Sequence, residues 1–476
     1  MGTGSDTVDF GSIFVRALTA IWHAILGGIK TFRLALPKLG VGWMFALLTV
    51  NFNRITVVEL GVTAVAVSAM LAMHYFLSPF QVISGRIADR NPIFGLRRTP
   101  YLLIAATLGS LVFLALPGLA QAMGAGNPLA YVAGFGLLIV FGVMIAVMGD
   151  THHALIAEVT TPRGRSGVIS VVWTFTILST IIAAGVMKSI MPEYTPERMQ
   201  YLYNLTPFVV IISAFLGVVG MEKRLTGQAL TDAIAQAKRI APPGNPLQAA
   251  ATVLRQNKQA TAMFVFIFVA IFSIFLQDNI LEVFGAEVFG MSVGETAGFQ
   301  QSWGGGVLLG MLLMGILSAI FPIKKRTITL IGTIGTAVGM VTLATAALFE
   351  IETLVTPALI FMGFFTGFFN VGALSMMMDM TIPGATGLFM GLWGMAQAFG
   401  NGLASFGGGA LHTTLIESGL MVPQAAYFTI FSIEAIGMVV ATVLVWRLSV
   451  DRFHALHNAT LKRDDMERAM EVGASA

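Results

Sequence analysis

Several residues in this sequence have the type and setting to do chemistry. His74 lies in the apolar run Leu71-Ala-Met-His74-Tyr75-Phe, midway between Gly61 and Gly85. A neutral imidazole there could ligate the magnesium of a chlorophyll-type ring, relay a proton, or bond a neighbouring carbonyl as an ordinary core histidine. Arg54 stands between Asn53 and Glu59 in Asn53-Arg54-Ile-Thr-Val-Val-Glu59-Leu-Gly61. It could lock helix ends by pairing with an acid, or snorkel to the membrane surface. Asp150 precedes His152 and His153, a spacing that could hold a metal or a proton, or face an aqueous vestibule. Glu434, in Phe431-Ser-Ile-Glu434-Ala-Ile, must be protonated or paired if it is buried. Trp303 follows Gln300-Gln301-Ser and precedes Gly304-Gly305-Gly306, and Trp393 stands among Gly391, Gly394, Gln397 and Gly400. Small residues at these spacings serve close helix packing, or they frame a flat slot where a planar ring lies against Trp.

The elements that position these groups follow from composition. Of 476 residues, 56% are hydrophobic and 11% are charged, where a soluble domain carries about 25% charged residues. Mean hydropathy is +0.82. A water-soluble exterior cannot be built from this chain, so it is a polytopic membrane protein. Secreted disulfide scaffolds, nucleic-acid modules and disordered chains are excluded. The chain has no Cys, hence no disulfide, thiol nucleophile or Cys-ligated metal. A crossing helix needs about 20 apolar residues. Twelve such stretches are expected, at 36–58, 61–84, 100–121, 129–157, 167–190, 204–221, 259–281, 296–322, 327–349, 353–379, 387–411 and 424–447. Ionisable residues inside such spans are rare and functional by default, so the residues above stand out.

With both termini placed in the cytoplasm, 24 of the 27 Lys and Arg fall on the cytoplasmic side. Arg54, Lys188 and Arg198 fall opposite, with Asp278, Glu282, Glu287, Glu295, Glu350, Glu352 and Glu417, acids read as lacking basic neighbours. Residues 1–9 are polar and no short apolar segment with a cleavage site follows, so no removable signal peptide is expected. Residues 1–35 are expected as an amphipathic cytoplasmic segment. Phe10, Ile13, Phe14, Ala17, Ile21, Ile25 and Ile29 recur at helical steps, with Lys30, Arg33 and Lys38 following.

Six spans, a polar loop and six more spans is the layout of the major facilitator fold. The division is 36–221 for the first six-helix bundle, 222–258 for a cytoplasmic linker holding Pro242-Pro243-Gly244-Asn245-Pro246, 259–447 for the second bundle, and 448–476 for a cytoplasmic tail. A weak repeat agrees: Glu158-Val-Thr160-Thr-Pro162 and Asp379-Met-Thr381-Ile-Pro383 lie 221 residues apart. The loop Gly85-Arg86-Ile-Ala-Asp89-Arg90, continuing to Gly95-Leu-Arg97-Arg98, resembles the major facilitator signature G-x-x-x-D-R-x-G-R-R with inserted residues. Gly85 would let two helices approach, and Asp89 would cap a helix or pair with Arg. No P-loop, G-x-S-x-G or H-E-x-x-H is present, which argues against an ATP-driven pump and against catalysis. No metal-binding set is expected.

Four segments carry a closer resemblance: Asn53 to Gly61; His74-Tyr-Phe-Leu-Ser-Pro79-Phe80-Gln81 running into Gly85–Arg90; Leu96-Arg97-Arg98-Thr99-Pro100-Tyr101; and Gln277-Asp278-Asn279 through Glu282, Glu287 and Glu295 to Thr296. They resemble the PucC/LhaA proteins, the bacteriochlorophyll-delivery branch of the major facilitator superfamily, over roughly 40–410. The resemblance implies a non-enzymatic assembly factor or chaperone in the inner, photosynthetic membrane of a phototrophic bacterium. It implies bacteriochlorophyll a or a precursor as ligand. Its implied partners are light-harvesting antenna polypeptides, the reaction-centre core complex and pigment-synthesis enzymes, with no nucleic acid. On this reading His74, Trp303 and Trp393 are pigment candidates. Arg54, Glu59, Gly85, Asp89, Arg90, Arg98, Asp150 and Glu434 are conformational or ion-pair candidates, and Asp278, Glu282, Glu287 and Glu295 are partner-contact candidates. A proton-coupled transporter of a small or lipid-like solute, with Asp150, Glu434 and Arg54 as coupling groups, is the alternative.

Overall fold

The computed structural model describes residues 26–77, 80–160, 165–239, 252–321, 323–381 and 386–456. Residues 1–25, the Pro-rich centre of the linker and the end of the tail lie outside the described residues. So does most of the expected amphipathic N-terminal helix; its described end, 26–35, is helical and leads directly into the first span.

The described chain is helical almost throughout. The first half holds α1 (Pro37–Ala46), α2 (Ala64–Phe76), α3 (Phe80–Arg90), α4 (Thr99–Gly124), α5 (Pro128–Val159), α6 (Arg165–Ile190) and α7 (Pro196–Val218). A linker helix α8 (Gly227–Arg239) follows. The second half holds α9 (Lys258–Phe275), α10 (Leu281–Phe289), α11 (Val293–Ile320), α12 (Lys325–Leu348), α13 (Glu352–Asp379), α14 (Thr386–His412) and α15 (Pro423–Arg447).

Among the described residues, ten helices are long and apolar enough to cross a membrane. The difference from twelve has local causes. The expected span 61–84 is divided between α2 and α3, and α2 alone is too short to count. The expected span 387–411 falls on α14, which is helical along its whole length but is not among the ten. The expected span 259–281 stops at Phe275, because Gln277-Asp278-Asn279 favours a turn. The nine-residue α10 then ends on Gly290 in the left-handed region (φ 68°), and Ser292 opens α11 in a capping box with Glu295.

The chain past α1 is not regular α-helix. Leu47–Phe52 and Ile55–Glu59 are π-helical turns. Widened turns free backbone carbonyls, and the hydroxyl of Tyr203 takes that of Leu47 at 3.0 Å. Nearly every side chain from Leu47 to Val57 is buried, including Asn51, Asn53, Arg54 and Thr56.

Buried apolar side chains form two large cores, one from Leu34 to Val218 and one from Ala260 to Phe453. Val283, Val293 and Ala297 break this rule: second-half residues, they belong to the first core. The halves meet along two crossings, α6 on α11 and α2 on α14. The second requires small residues, since a Cβ on Gly409 would meet the Ser68 side chain and one on Gly402 the Phe76 ring. One end of the bundle carries Arg97, Arg98 and Lys325, and the other carries Glu59, Glu287, Glu295 and Glu417. They are called the basic face and the acidic face below.

Candidate functional site

The candidate residues fall into three places. On the basic face, Arg98 gathers the signature loop. Its Nη2 reaches Asp89 at 2.5 Å and Glu158 at 2.9 Å, and Arg97 adds a contact to Glu158 at 3.2 Å. Glu222, just past α7, accepts from the backbone N–H groups of Arg97, Arg98 and Thr99. It thereby satisfies the open N-terminus of α4, a partner that the sequence did not signal. Gly85 gives Asp150 room: a Cβ there would lie 2.8 Å from Asp150 Oδ2. The second half repeats the device, since Lys325 holds Asp379 at 2.7 Å. Asp379 is the repeat counterpart of Glu158. Arg90 is exposed at the end of α3.

Asp150 and its histidines do not converge. Asp150 lies against Gly85, whereas buried His152 contacts the Leu34 carbonyl at 2.7 Å through Nε2. Among the described residues no cluster of three acids or histidines is placed to hold a metal.

Mid-bundle, His74 is 9% exposed. Its Nδ1 lies 2.6 Å from the Leu71 carbonyl. A carbonyl only accepts, so Nδ1 carries the proton and Nε2 presents its lone pair. That Nε2 is buried without a partner. Tyr75, Phe45 and Phe141 flank the ring at centroid distances of 3.8, 5.0 and 6.1 Å. The two tryptophans do not share a slot with it. Trp393 is fully buried in the second core against Phe389. Trp303 packs edge-on to Phe275 and borders a cavity of about 20 Å³, the size of a water and far below that of a planar ring. Glu434 is 0% exposed, and neither carboxyl oxygen has a partner.

The third place is the seam between the halves near the acidic face, built around the segment from Gln277 to Thr296. Asn53 Nδ2 donates to the Asn279 carbonyl, and Asn279 Nδ2 donates to Ser405 Oγ at 2.5 Å. Arg54 pairs with Glu59 at 2.5 Å and donates to the Met291 carbonyl at 2.9 Å. Gly294 N–H donates to the Pro192 carbonyl at 2.9 Å. Beyond the segment, Ala64 N–H donates to Glu417 Oε1 at 2.8 Å and Val65 N–H to Thr413 Oγ1 at 3.1 Å.

This geometry corrects the sequence reading of the acids. Glu282 is 2% exposed, so its carboxylate is not a surface contact, whereas Glu287 is partly exposed and bonds Tyr427 at 2.8 Å and His412 at 2.9 Å. Their surroundings are not free of basic groups either. Arg54 lies within electrostatic reach of Glu282, and His412 sits between Glu287 and Glu417. Glu295 is exposed but spends one oxygen on the α11 cap, at 2.8 Å from Ser292 N. Asp278 is half-buried.

Solved structures share this architecture. A D-xylose–proton symporter matches with a TM-score of 0.64 at 17% identity, covering 88% of this chain and 97% of its own. The nucleoside transporter NupG matches with a TM-score of 0.65 at 14% identity, covering 90% and 99%. The fold is therefore of the major facilitator type. In sequence, the "Bacteriochlorophyll synthase 44.5 kDa chain" of Rhodobacter capsulatus is 31% identical over 88% of this chain and 95% of its own length. "Protein PucC" of Cereibacter sphaeroides is 26% identical over 87% and 91%. The family model described as PUCC protein matches residues 51–453, nearly all of the chain that the structure describes, and this chain belongs to the PUCC family.

Proposed function

We propose that this chain is a non-enzymatic membrane assembly factor for light-harvesting complexes. On this reading it works in the inner membrane of a phototrophic bacterium, basic face to the cytoplasm. It delivers bacteriochlorophyll or a precursor to antenna polypeptides. Family membership supports the role in assembly. The observation that carries the mechanism is the segment Gln277–Thr296. A transporter must open its seam on both faces in turn. Here the acidic face is pinned through main-chain carbonyls of Asn279, Met291 and Pro192, and Val283, Val293 and Ala297 are buried in the opposite half's core. That arrangement favours a carrier loaded and unloaded from the basic face or the bilayer.

His74 fits the pigment in donor chemistry: a neutral imidazole with one nitrogen occupied and a buried lone pair on the other. The pigment would supply a magnesium ion that accepts a nitrogen donor. His74 would hold that ion, and Tyr75, Phe45 and Phe141 would exclude water from it.

The chain has no Cys, so thiols can be placed at will. Val65→Cys and Thr413→Cys, bridged by a short bis-thiol reagent, would clamp the acidic face. A tagged chain in membranes of a phototrophic host should capture antenna polypeptides equally with and without the bridge. Capture of neither antenna polypeptides nor pigment would overturn the reading. The alternative, a proton-coupled transporter of a small or lipid-like solute, requires a proton-dependent flux in reconstituted vesicles that the bridge abolishes.

A further inference from the structure

The segment that pins the seam also borders a polar cavity that the assembly reading does not use. It measures about 20 Å³, and its polar lining is Gln277, Asp278, Glu282, Gln300 and Trp303. Glu282 is 2% exposed and its Oε2 has no hydrogen-bond partner. Gln277 is 4% exposed and its Oε1 has none either. Asp278 lies four residues before Glu282 and borders the same space. Two acidic residues and a glutamine therefore line a volume that admits one water-sized species, with two of their oxygens buried and unpartnered beside it.

The neighbouring charges do not neutralise this pair. Arg54 is the nearest cation from the other half, and its guanidinium is already committed to Glu59 and the Met291 carbonyl. Tyr75 approaches Asp278 from α2 but carries no positive charge. His74 beside it uses Nδ1 on its own helix. From α11, Gln300 directs its Nε2 to Thr180 at 3.2 Å. Among the described residues no Lys, Arg or His lies within ion-pair distance of Asp278 or Glu282. Two like charges in so dry a place cannot both persist uncompensated.

We propose that Asp278 and Glu282 form a binding site for one small monovalent cation, a proton or a sodium-sized ion, whose occupancy holds the halves together at the acidic face. Oxygen donors suit a hard cation. The link to closure is direct: Asn279, between the two acids, accepts the Asn53 bond that crosses the seam. Glu282 is buried in this structure, and on this proposal opening the seam returns it to water. A bare pair therefore favours opening and a neutralised pair favours closure, by differential binding to the two states. The site stands whether or not the chain moves a solute.

The test uses the full chain with nitroxide labels on Ala125→Cys and Leu420→Cys, exposed loop positions at the acidic ends of the two halves. Electron-electron distance distributions would be recorded in sodium chloride against choline chloride at fixed alkaline pH. They would then be recorded in choline as pH is lowered. A cation at ten times its dissociation constant should reduce the long-distance population about tenfold. Closure by sodium identifies the ion as sodium, and closure by acid alone identifies the proton. A distribution indifferent to both overturns the proposal. His412, Glu287, Glu417 and Tyr427 are also ionisable side chains bonded to one another on this face, so the Asp278→Asn/Glu282→Gln variant separates their contribution. It should stay closed under every condition, and a response like that of the parent chain overturns the assignment. Equilibrium binding of radiolabelled sodium to the parent chain and to Glu282→Gln alone gives a readout if the double variant does not fold. Neither saturable sodium binding nor acid-driven closure in the parent chain would also overturn it.

Discussion

Arg54 donates to the main-chain carbonyl of Met291 at 2.9 Å, across 237 positions of sequence, while the same guanidinium holds Glu59 at 2.5 Å. One side chain thus fixes the end of the first span and ties it to the second half. The guanidinium is buried, so removing it leaves the carbonyl unpaired and a carboxylate without its counter-charge. Arg54→Met should cost about 3 kcal/mol, the scale of breaking a buried pair. Arg54→Lys should recover less than half, because an ammonium lacks the planar fork that serves both acceptors. Thermal unfolding of the purified chain in mild detergent checks both, and a melting temperature unchanged in Arg54→Met would refute the tie.

The two halves build the same ion pair with different burial. Arg98 is buried and holds both Asp89 and Glu158, whereas Lys325 and Asp379 are each more than a third exposed. Solvent screening separates the two cases. Arg98→Gln should cost about 3 kcal/mol, and Lys325→Gln at most about 1 kcal/mol, falling further at high salt. Denaturation at low and high ionic strength would measure the contrast. Equal losses for the two variants would show that burial does not decide them.

The spans and the bundle layout were legible because apolar length is a strong one-dimensional signal. The Glu158–Asp379 repeat was legible for the same reason, since it sits at corresponding span ends. The seam was not. Gln277-Asp278-Asn279 marks a break in the sequence, yet nothing there says that Asn279 offers a carbonyl to Asn53. Backbone acceptors carry no residue signature. Glu222 escaped notice likewise, since a helix cap supplied from another loop has no fixed spacing. Trp393 left two readings open, since a glycine-flanked indole fits a core as well as a slot, and the structure places it in the core.

Two glycines test how close packing is distributed. A Cβ on Gly85 would meet Asp150 Oδ2 at 2.8 Å, the end of a side chain that can turn away. A Cβ on Gly310 would overlap the Phe364 backbone oxygen, where only a helix can move. Gly85→Ala should therefore cost less than about 1 kcal/mol, and Gly310→Ala at least about 3 kcal/mol, at or beyond the upper range of overpacking. Yield of monodisperse protein and melting temperature would rank them, and the reverse order would contradict the packing at both sites.

Glu434 is fully buried with both oxygens unpartnered. A carboxylate cannot persist there, so the group is a neutral acid. Glu434→Gln keeps shape and neutrality and should change stability by less than about 1 kcal/mol. Glu434→Lys buries a charge and should abolish folded yield. A Glu434→Gln variant as damaged as Glu434→Lys would mean that the native group carries charge after all.

His74 allows the pigment reading to be tested apart from the fold. Its buried Nε2 is free because Nδ1 serves Leu71, so a ligand role and a structural role make different demands on the ring. A structural histidine needs only the Nδ1 bond. His74→Asn keeps a short side-chain donor for the Leu71 carbonyl but removes the free ring nitrogen, and His74→Ala removes both. Purified from a phototrophic host, the parent chain should carry a red-shifted bacteriochlorophyll band. Both variants should lose it, while His74→Asn melts within a few degrees of the parent. The antenna polypeptides should stay attached in both, since their capture does not pass through the imidazole. If the band survives in His74→Ala, His74 is a core residue and the pigment ligand lies elsewhere. If His74→Asn keeps the band and His74→Ala loses it together with stability, the imidazole acts through Leu71 and not through magnesium.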